Sequence, residues 1–139
     1  MVEAAVAGES PFHASAVEIR RPGPSYTTDT LRDLGRELPG AHLHFLMGVD
    51  QWEAFGSWKE PEAIARAATL VVMARGGEDP KVEGVRLEDG GRPDVETVDV
   101  TRVDVSATDI RQRIQEGRSV RYRVPDGVHR IIVREGLYR

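Results

Sequence analysis

No stretch constrains this chain more than Thr69-Leu70-Val71-Val72-Met73-Ala74. It is a near-continuous apolar run, far too short to cross a bilayer, and Arg75-Gly76-Gly77 closes it. A strand with one wet face alternates apolar and polar residues. A strand without alternation needs cover on both faces, which is the setting of a strand inside a parallel sheet. The run therefore points to an α/β fold in which helices flank a mostly parallel sheet.

The flanking sequence supplies the other elements. Thr27 or Thr28 is placed to cap a helix with Asp29 in its first turn, Leu31, Leu34 and Leu38 on one face, and Pro39-Gly40 as its stop. His42 to Met47 reads as a strand that runs into Gly48-Val49-Asp50, with a short helical piece through Ala54. Pro61 opens a further helix with Ile64 and Ala67 or Ala68 facing inward. Residues 78–94, rich in Gly, Pro, Asp and Glu, read as a surface loop with a short strand near Val85 and Leu87. Val95 to Val105 alternates as a strand does, with a slip near Arg102. Ser106 can cap a helix bearing Ile110 and Ile114 and ending at Gly117. Pro125 opens the last helix, with Val128, Ile131 and Ile132 as its inner stripe and Gly136 as its stop. Ligands of open α/β sheets sit outside the carboxyl ends of the strands. Gly48-Val49-Asp50, Arg75-Gly76 and Ser106 to Arg111 are thereby expected along one rim.

The chain has 139 residues, 40% hydrophobic and 30% charged, which suits one globular domain. With no cysteine, disulfides and thiolate metal sites are excluded, and a reducing compartment fits best. The first residues, MVEAAVAGES, show no signal peptide, so the expected location is the cytoplasm, with no membrane partner. A net charge of −4 argues against a nucleic-acid partner. Acidic residues gather between Glu78 and Asp104, however, and Arg111, Arg113, Arg118, Arg121 and Arg123 follow them. Those arginines suit either a local polyphosphate pocket or a solvated basic face.

Ser106-Ala107-Thr108-Asp109-Ile110-Arg111 is the first chemical candidate. A helix start offers unpaired N–H groups and a positive dipole end, hydroxyls add donors, and a fork-shaped guanidinium one turn later meets the same phosphate. The same pattern is also an ordinary capping box. Gly48 lets a ligand approach the backbone, and Asp50 can accept from ribose hydroxyls, although a plain turn has the same residues. Trp52, Phe55 and Trp58 lie close together and read mainly as core. Trp58 is the exception, because it sits in a loop-like segment with Lys59 beside it and can stack on a flat heterocycle. Tyr26 suits either core or pocket wall. His42 and His44 share a strand face without an evident third ligand, so no metal site is assigned. Neither a Ser-His-Asp arrangement nor a phosphate-binding loop of the P-loop type occurs.

Read together, these segments resemble bacterial nicotinate-nucleotide adenylyltransferase. The resemblance runs through Ile19-Arg20-Arg21-Pro22-Gly23-Pro24-Ser25-Tyr26-Thr27-Thr28-Asp29-Thr30-Leu31, Phe45-Leu46-Met47-Gly48-Val49-Asp50 and Phe55-Gly56-Ser57-Trp58. It continues in Leu70 to Arg75, in Val105 to Arg111, and from Val120-Arg121-Tyr122-Arg123-Val124-Pro125 to the end. It implies a doubly wound, Rossmann-like nucleotidyltransferase sheet. The implied reaction transfers the adenylyl group of ATP, assisted by Mg²⁺, to nicotinate mononucleotide in NAD biosynthesis. By position, Thr27 and the backbone near Lys59 would hold the nicotinate carboxylate, and Trp58 would stack on the pyridine. Gly48 and Asp50 would line the ribose site. Ser106, Thr108 and Arg111, with Arg75 as a weaker candidate, would hold ATP phosphates, and Arg111 would also steady the transition state.

Ala107 stands where the family prefers a second serine, and Val49 where alanine is usual. The family's His-x-Gly-His motif does not occur here, so no catalytic histidine is assigned. The resemblance thus implies the C-terminal majority of the family fold, truncated by about one or two βαβ-sized units of roughly 30 residues or more. Met1-Val2-Glu3-Ala4-Ala5-Val6 resembles the tail of an internal helix. An unpaired sheet edge is expected to follow, with low stability or self-association through it. The activity of the chain by itself stays open. A non-catalytic nucleotide-binding remnant and a related enzyme such as phosphopantetheine adenylyltransferase are the alternatives.

Overall fold

A computed structural model of the chain describes residues 1–76 and 92–139. In chain order the helices are α1 (Val2–Val6), α2 (Val17–Arg20), α3 (Thr27–Glu37), α4 (Val49–Ala54), α5 (Pro61–Ala67), α6 (Ala107–Gln115) and α7 (Asp126–Glu135). The strands are β1 (His44–Gly48), β2 (Thr69–Arg75) and β3 (Val95–Val100), and a 3-10 turn spans Phe55–Ser57. They gather into two compact units, a sheet unit (Val17–Arg102) and a helical unit (Met1–Ala16 with Val103–Arg139).

The sheet unit is built on a parallel sheet of order β1-β2-β3. Leu70 and Val72 on one face of β2 are fully buried, and Val71 on the other face is only 6% exposed. The apolar run is therefore the central strand with cover on both sides, as its lack of alternation requires. One face carries the main core, in which Leu31 of α3, Met47 of β1, Trp52 of α4, Phe55 and Ile64 of α5 close over Leu70 and Val72. β1 alternates instead, with Met47 buried and Leu46 57% exposed.

Several boundaries differ from the sequence expectation, each for a physical reason. The first strand begins at His44 rather than His42, because His44 pairs with Thr69, the first residue of β2. The third strand ends at Val100 rather than Val105, because Val100 pairs with Arg75, the last residue of β2. Among the described residues, a strand has no ladder partner beyond that point. Val103 and Val105 are exposed, and the Val105 N–H turns back to the Val103 carbonyl at 3.0 Å. Neither Thr27 nor Thr28 caps α3; the N-cap is Tyr26, without a side-chain capping bond. Leu38 lies just past the end of α3 and is 51% exposed, so the inner face stops at Leu31 and Leu34. Of the alanine pair, Ala68 is the buried one. Most of the loop assigned to 78–94, with its strand near Val85 and Leu87, lies outside the described residues; 92–94 are neither helix nor strand.

In the helical unit, Ile110 of α6, Val120 and Ile132 of α7 form a second core, with Ile114, Val124 and Val128 packed against it. Ile131 is half-buried. Gly117 and Gly136 end α6 and α7 in left-handed conformations (φ 69° and 60°), the usual use of glycine at a helix stop. α1 packs against α7 at Gly127, where a Cβ would lie 2.6 Å from the Ala4 carbonyl oxygen.

Candidate functional site

In the sheet unit, the start of α3 and the segment leading into α5 face one another across a hollow. Its volume is about 330 Å³, and Ser25, Tyr26, Thr27, Ser57, Trp58, Lys59 and Ile64 line it. Three residues expected to bind substrate, Thr27, Trp58 and Lys59, thus meet although Thr27 is far in sequence from the adjacent Trp58 and Lys59. Pro61 and the 3-10 turn explain the approach. The turn closes with the Trp58 N–H on the Phe55 carbonyl at 3.0 Å, and Glu60 then takes a left-handed backbone (φ 53°) as the N-cap of α5.

Trp58 belongs to the core and to the hollow at once. Its ring meets Phe45 edge-on at 6.0 Å and Phe55 at 5.7 Å. Trp52 and Phe55, by contrast, stack on each other at 5.6 Å and are buried in the core, away from the lining of the hollow. Two hydrophobic rings therefore brace the indole, which leaves it as a rigid platform on the hollow. A braced aromatic loses little entropy when a flat ring stacks on it.

The charges around the hollow are paired across it. Lys59 Nζ lies 4.3 Å from the centre of the Tyr26 ring and 3.6 Å from Asp29 Oδ2. Arg32 donates to Asp29 Oδ1 at 2.8 Å. Burial works against ionisation of Asp29, but the Lys59 charge and the Arg32 hydrogen bond outweigh it and hold the carboxyl below its ordinary value. Thr28, only 4% exposed, donates its hydroxyl to Glu60 Oε2 at 3.3 Å, and Arg32 Nη2 lies 3.7 Å from the same oxygen.

Gly48 and Asp50 do not line this hollow. Gly48 ends β1, opposite Met73, and caps α4; Asp50 is exposed in the first turn of that helix. Arg75 ends β2 and is exposed. Because the strands are parallel, Gly48 and Arg75 share the carboxyl edge of the sheet, as expected. A larger hollow of about 430 Å³ lies between α2 and α3 and contains none of the expected residues. Three of its charged groups are paired, with Arg21 on Asp33 at 2.6 Å and Arg36 on Asp33 at 3.5 Å. It also lacks an aromatic wall, so the Trp58 hollow is the better ligand site.

Ser106, Thr108 and Arg111 belong to the helical unit. Ser106 caps α6 by accepting the Asp109 N–H at 3.0 Å. Asp109 takes both Arg113 and Arg123, at 3.0 and 3.3 Å. Arg111 meets Thr108 Oγ1 only at a long 3.4 Å and, among the described residues, forms no ion pair. It is the cation of this helix start that remains available to an outside anion. Among the described residues, no three His, Cys, Asp or Glu side chains gather as a metal site would require, and no helix is long and apolar enough to cross a membrane.

The sequence patterns assign no site role to Ser25, Ser57, Asp29 or Glu60. The serines sit beside Tyr26 and Trp58, so adjacency alone could have flagged them. Glu60 carried no such signal, since a left-handed glutamate before proline is not an expected conformation.

No family model matches the chain. In structure it is similar to Plasmodium falciparum nicotinic acid mononucleotide adenylyltransferase complexed with APC, with a TM-score of 0.63 at 16% identity, over 84% of this chain and 60% of that one. The same protein complexed with NaAD aligns with a TM-score of 0.61 at 16% identity, over 83% of this chain and 58% of that one. With the parallel sheet, these neighbours define the fold as a Rossmann-like α/β fold. In sequence, the chain is 44% identical over 135 residues to a protein of Thermus thermophilus named probable nicotinate-nucleotide adenylyltransferase, covering 97% of this chain and 68% of that one. The like-named protein of Rubrobacter xylanophilus is 42% identical, over 100% of this chain and 65% of its own length. The chain belongs to the nicotinate-nucleotide adenylyltransferase family, a family of enzymes of NAD biosynthesis. It spans about two thirds of the length of these relatives.

Proposed function

We propose that the chain serves the transfer of the adenylyl group of ATP to nicotinate mononucleotide, giving nicotinate adenine dinucleotide and pyrophosphate. The phosphate of the mononucleotide attacks the α-phosphorus of ATP, the bond to the β-phosphate oxygen breaks, and pyrophosphate carries away the charge. Such chemistry asks the protein mainly to position reactants and neutralise charge. The observation that carries the reading is the braced Trp58 beside Thr27 and Lys59 in one hollow.

Each residue then has a physical task. Trp58 stacks on the pyridine. Thr27 opens α3, so its N–H belongs to the unpaired first turn and, with the helix dipole, favours the carboxylate of nicotinate over the neutral amide. The backbone near Lys59 reaches the same group. Gly48 and Asp50 at the carboxyl edge serve the ribose. ATP enters as its Mg²⁺ complex. Ser106 and Thr108 offer hydroxyls to its phosphates, and Arg111, with Arg75 in a lesser role, offsets their charge. We further propose a cytoplasmic setting and self-association through the outer edge of β1, treated below.

The test is a titration of Trp58 fluorescence with nicotinate mononucleotide, with phosphopantetheine as the comparison. Quenching by the mononucleotide alone supports the reading, and equal or preferential quenching by phosphopantetheine overturns it. Dinucleotide formation with Mg²⁺-ATP then separates an active enzyme from a nucleotide-binding remnant.

A further inference from the structure

We propose that Glu60 is the positioning residue of the Trp58 hollow: its side chain, tied to Thr28 and Arg32 of α3, holds the left-handed corner that sets Trp58 and Lys59 against Tyr26 and Thr27. The inference rests on the reading of this hollow as the nicotinate site.

The corner lies between two lining segments. Upstream are Ser57, Trp58 and Lys59; downstream the Glu60 carbonyl accepts the N–H groups of Ala63 and Ile64 at 3.0 and 3.2 Å, and Ile64 lines the hollow. The φ and ψ of Glu60 are 53° and 56°. An L-residue with a Cβ pays for that conformation, and Pro61 disfavours the right-handed helical alternative. Such a conformation persists only where the surroundings over-determine it. Here the determinant is the carboxylate, which accepts from the buried Thr28 hydroxyl at 3.3 Å and faces Arg32 at 3.7 Å. Thr28 follows Thr27 directly, so the tie joins the two walls next to the residue that would meet the ligand. Arg32 also binds Asp29, which holds Lys59, so both walls share one ionic link.

The test uses the full chain with Trp52→Phe, so that Trp58 is the sole tryptophan, and compares Glu60→Gly with Glu60→Gln. Glycine accepts the left-handed corner without strain but has no side chain to hold it. Glutamine keeps an acceptor for Thr28. Three quantities are read: acrylamide quenching of Trp58 without ligand, melting temperature, and affinities for nicotinate mononucleotide and Mg²⁺-ATP. Glu60→Gly is expected to keep its melting temperature, expose Trp58 to acrylamide and weaken the mononucleotide about tenfold, with ATP unchanged. Glu60→Gln is expected to stay close to the parent in all of them. Unchanged quenching and unchanged mononucleotide affinity in Glu60→Gly would overturn the proposal. If the parent itself fails to bind the mononucleotide, the functional reading falls, and the ligand-free quenching still decides whether Glu60 sets the corner.

Discussion

The Lys59 ammonium sits 4.3 Å from the centre of the Tyr26 ring, so a cation–π contact joins the segment before α5 to the residue that caps α3. Asp29 holds the same ammonium from the first turn of α3, at 3.6 Å. The two walls of the hollow are therefore linked by groups that respond to pH and to single substitutions.

Acid should loosen this link. The Asp29 carboxyl titrates below its ordinary value when folded, so the folded state binds its proton less readily than the unfolded chain does. Its contribution to stability is complete above the unfolded pKa and is lost as pH falls through the lower folded value. The melting-temperature difference between the parent and Asp29→Asn should be constant above pH about 5 and shrink below pH about 4. A difference that persists undiminished in acid would show that Asp29 is not stabilised as its charge partners imply.

Replacing Trp58 should separate its two roles. Trp58→Ala removes the stacking platform and should weaken nicotinate mononucleotide by about 1–3 kcal/mol, the usual worth of a base stacked on an aromatic. It also removes contacts with Phe45 and Phe55, so the melting temperature should drop. Trp58→Phe should restore most of the stability and only part of the affinity, as calorimetric titration would show.

At α6, Ser106→Ala removes the cap on the Asp109 N–H and should cost about 1 kcal/mol in denaturant unfolding. Arg111→Ala touches no ion pair among the described residues and should leave stability within about 0.5 kcal/mol. It should nevertheless weaken Mg²⁺-ATP and leave the mononucleotide unaffected. Loss of both ligands together would argue against the division of labour proposed here.

Gly127→Ala tests the helical unit. The added Cβ would sit 2.6 Å from the Ala4 carbonyl oxygen, closer than real contacts allow, so α1 must move off α7. A cost of about 1–3 kcal/mol is expected, as for other overpacked contacts. Hydrogen exchange should show Ala5, whose N–H bonds to the Met1 carbonyl at 2.9 Å, losing protection first.

β1 pairs with β2 on one side, and among the described residues no strand lies on the other. Leu46, 57% exposed, stands on that strand. An open edge beside an apolar side chain invites pairing with a second copy. Sedimentation should show concentration-dependent association of the parent and a shift toward monomer in Leu46→Lys. A parent that is monomeric at all concentrations would refute association through this edge.

Local patterns in the sequence were enough to identify β2, because six successive apolar or small residues leave no wet face. They also marked the Ser106 cap and the glycine stops at 117 and 136, since capping depends on residues a few positions apart. Trp58 was legible only as an alternative between core and platform, and packing sets its ring against Phe45 and Phe55 while it also lines the hollow. What the sequence could not supply was pairing. The ends of β1 and β3 follow from where β2 runs out of partners, not from their own alternation. Thr27 or Thr28 was expected to cap α3, but the Thr28 hydroxyl goes instead to Glu60, 32 positions away. Periodicity and capping are local and could be read along the chain; strand register, the Thr28–Glu60 tie and the meeting of Thr27 with Trp58 and Lys59 are long-range, and only the tertiary structure decided them.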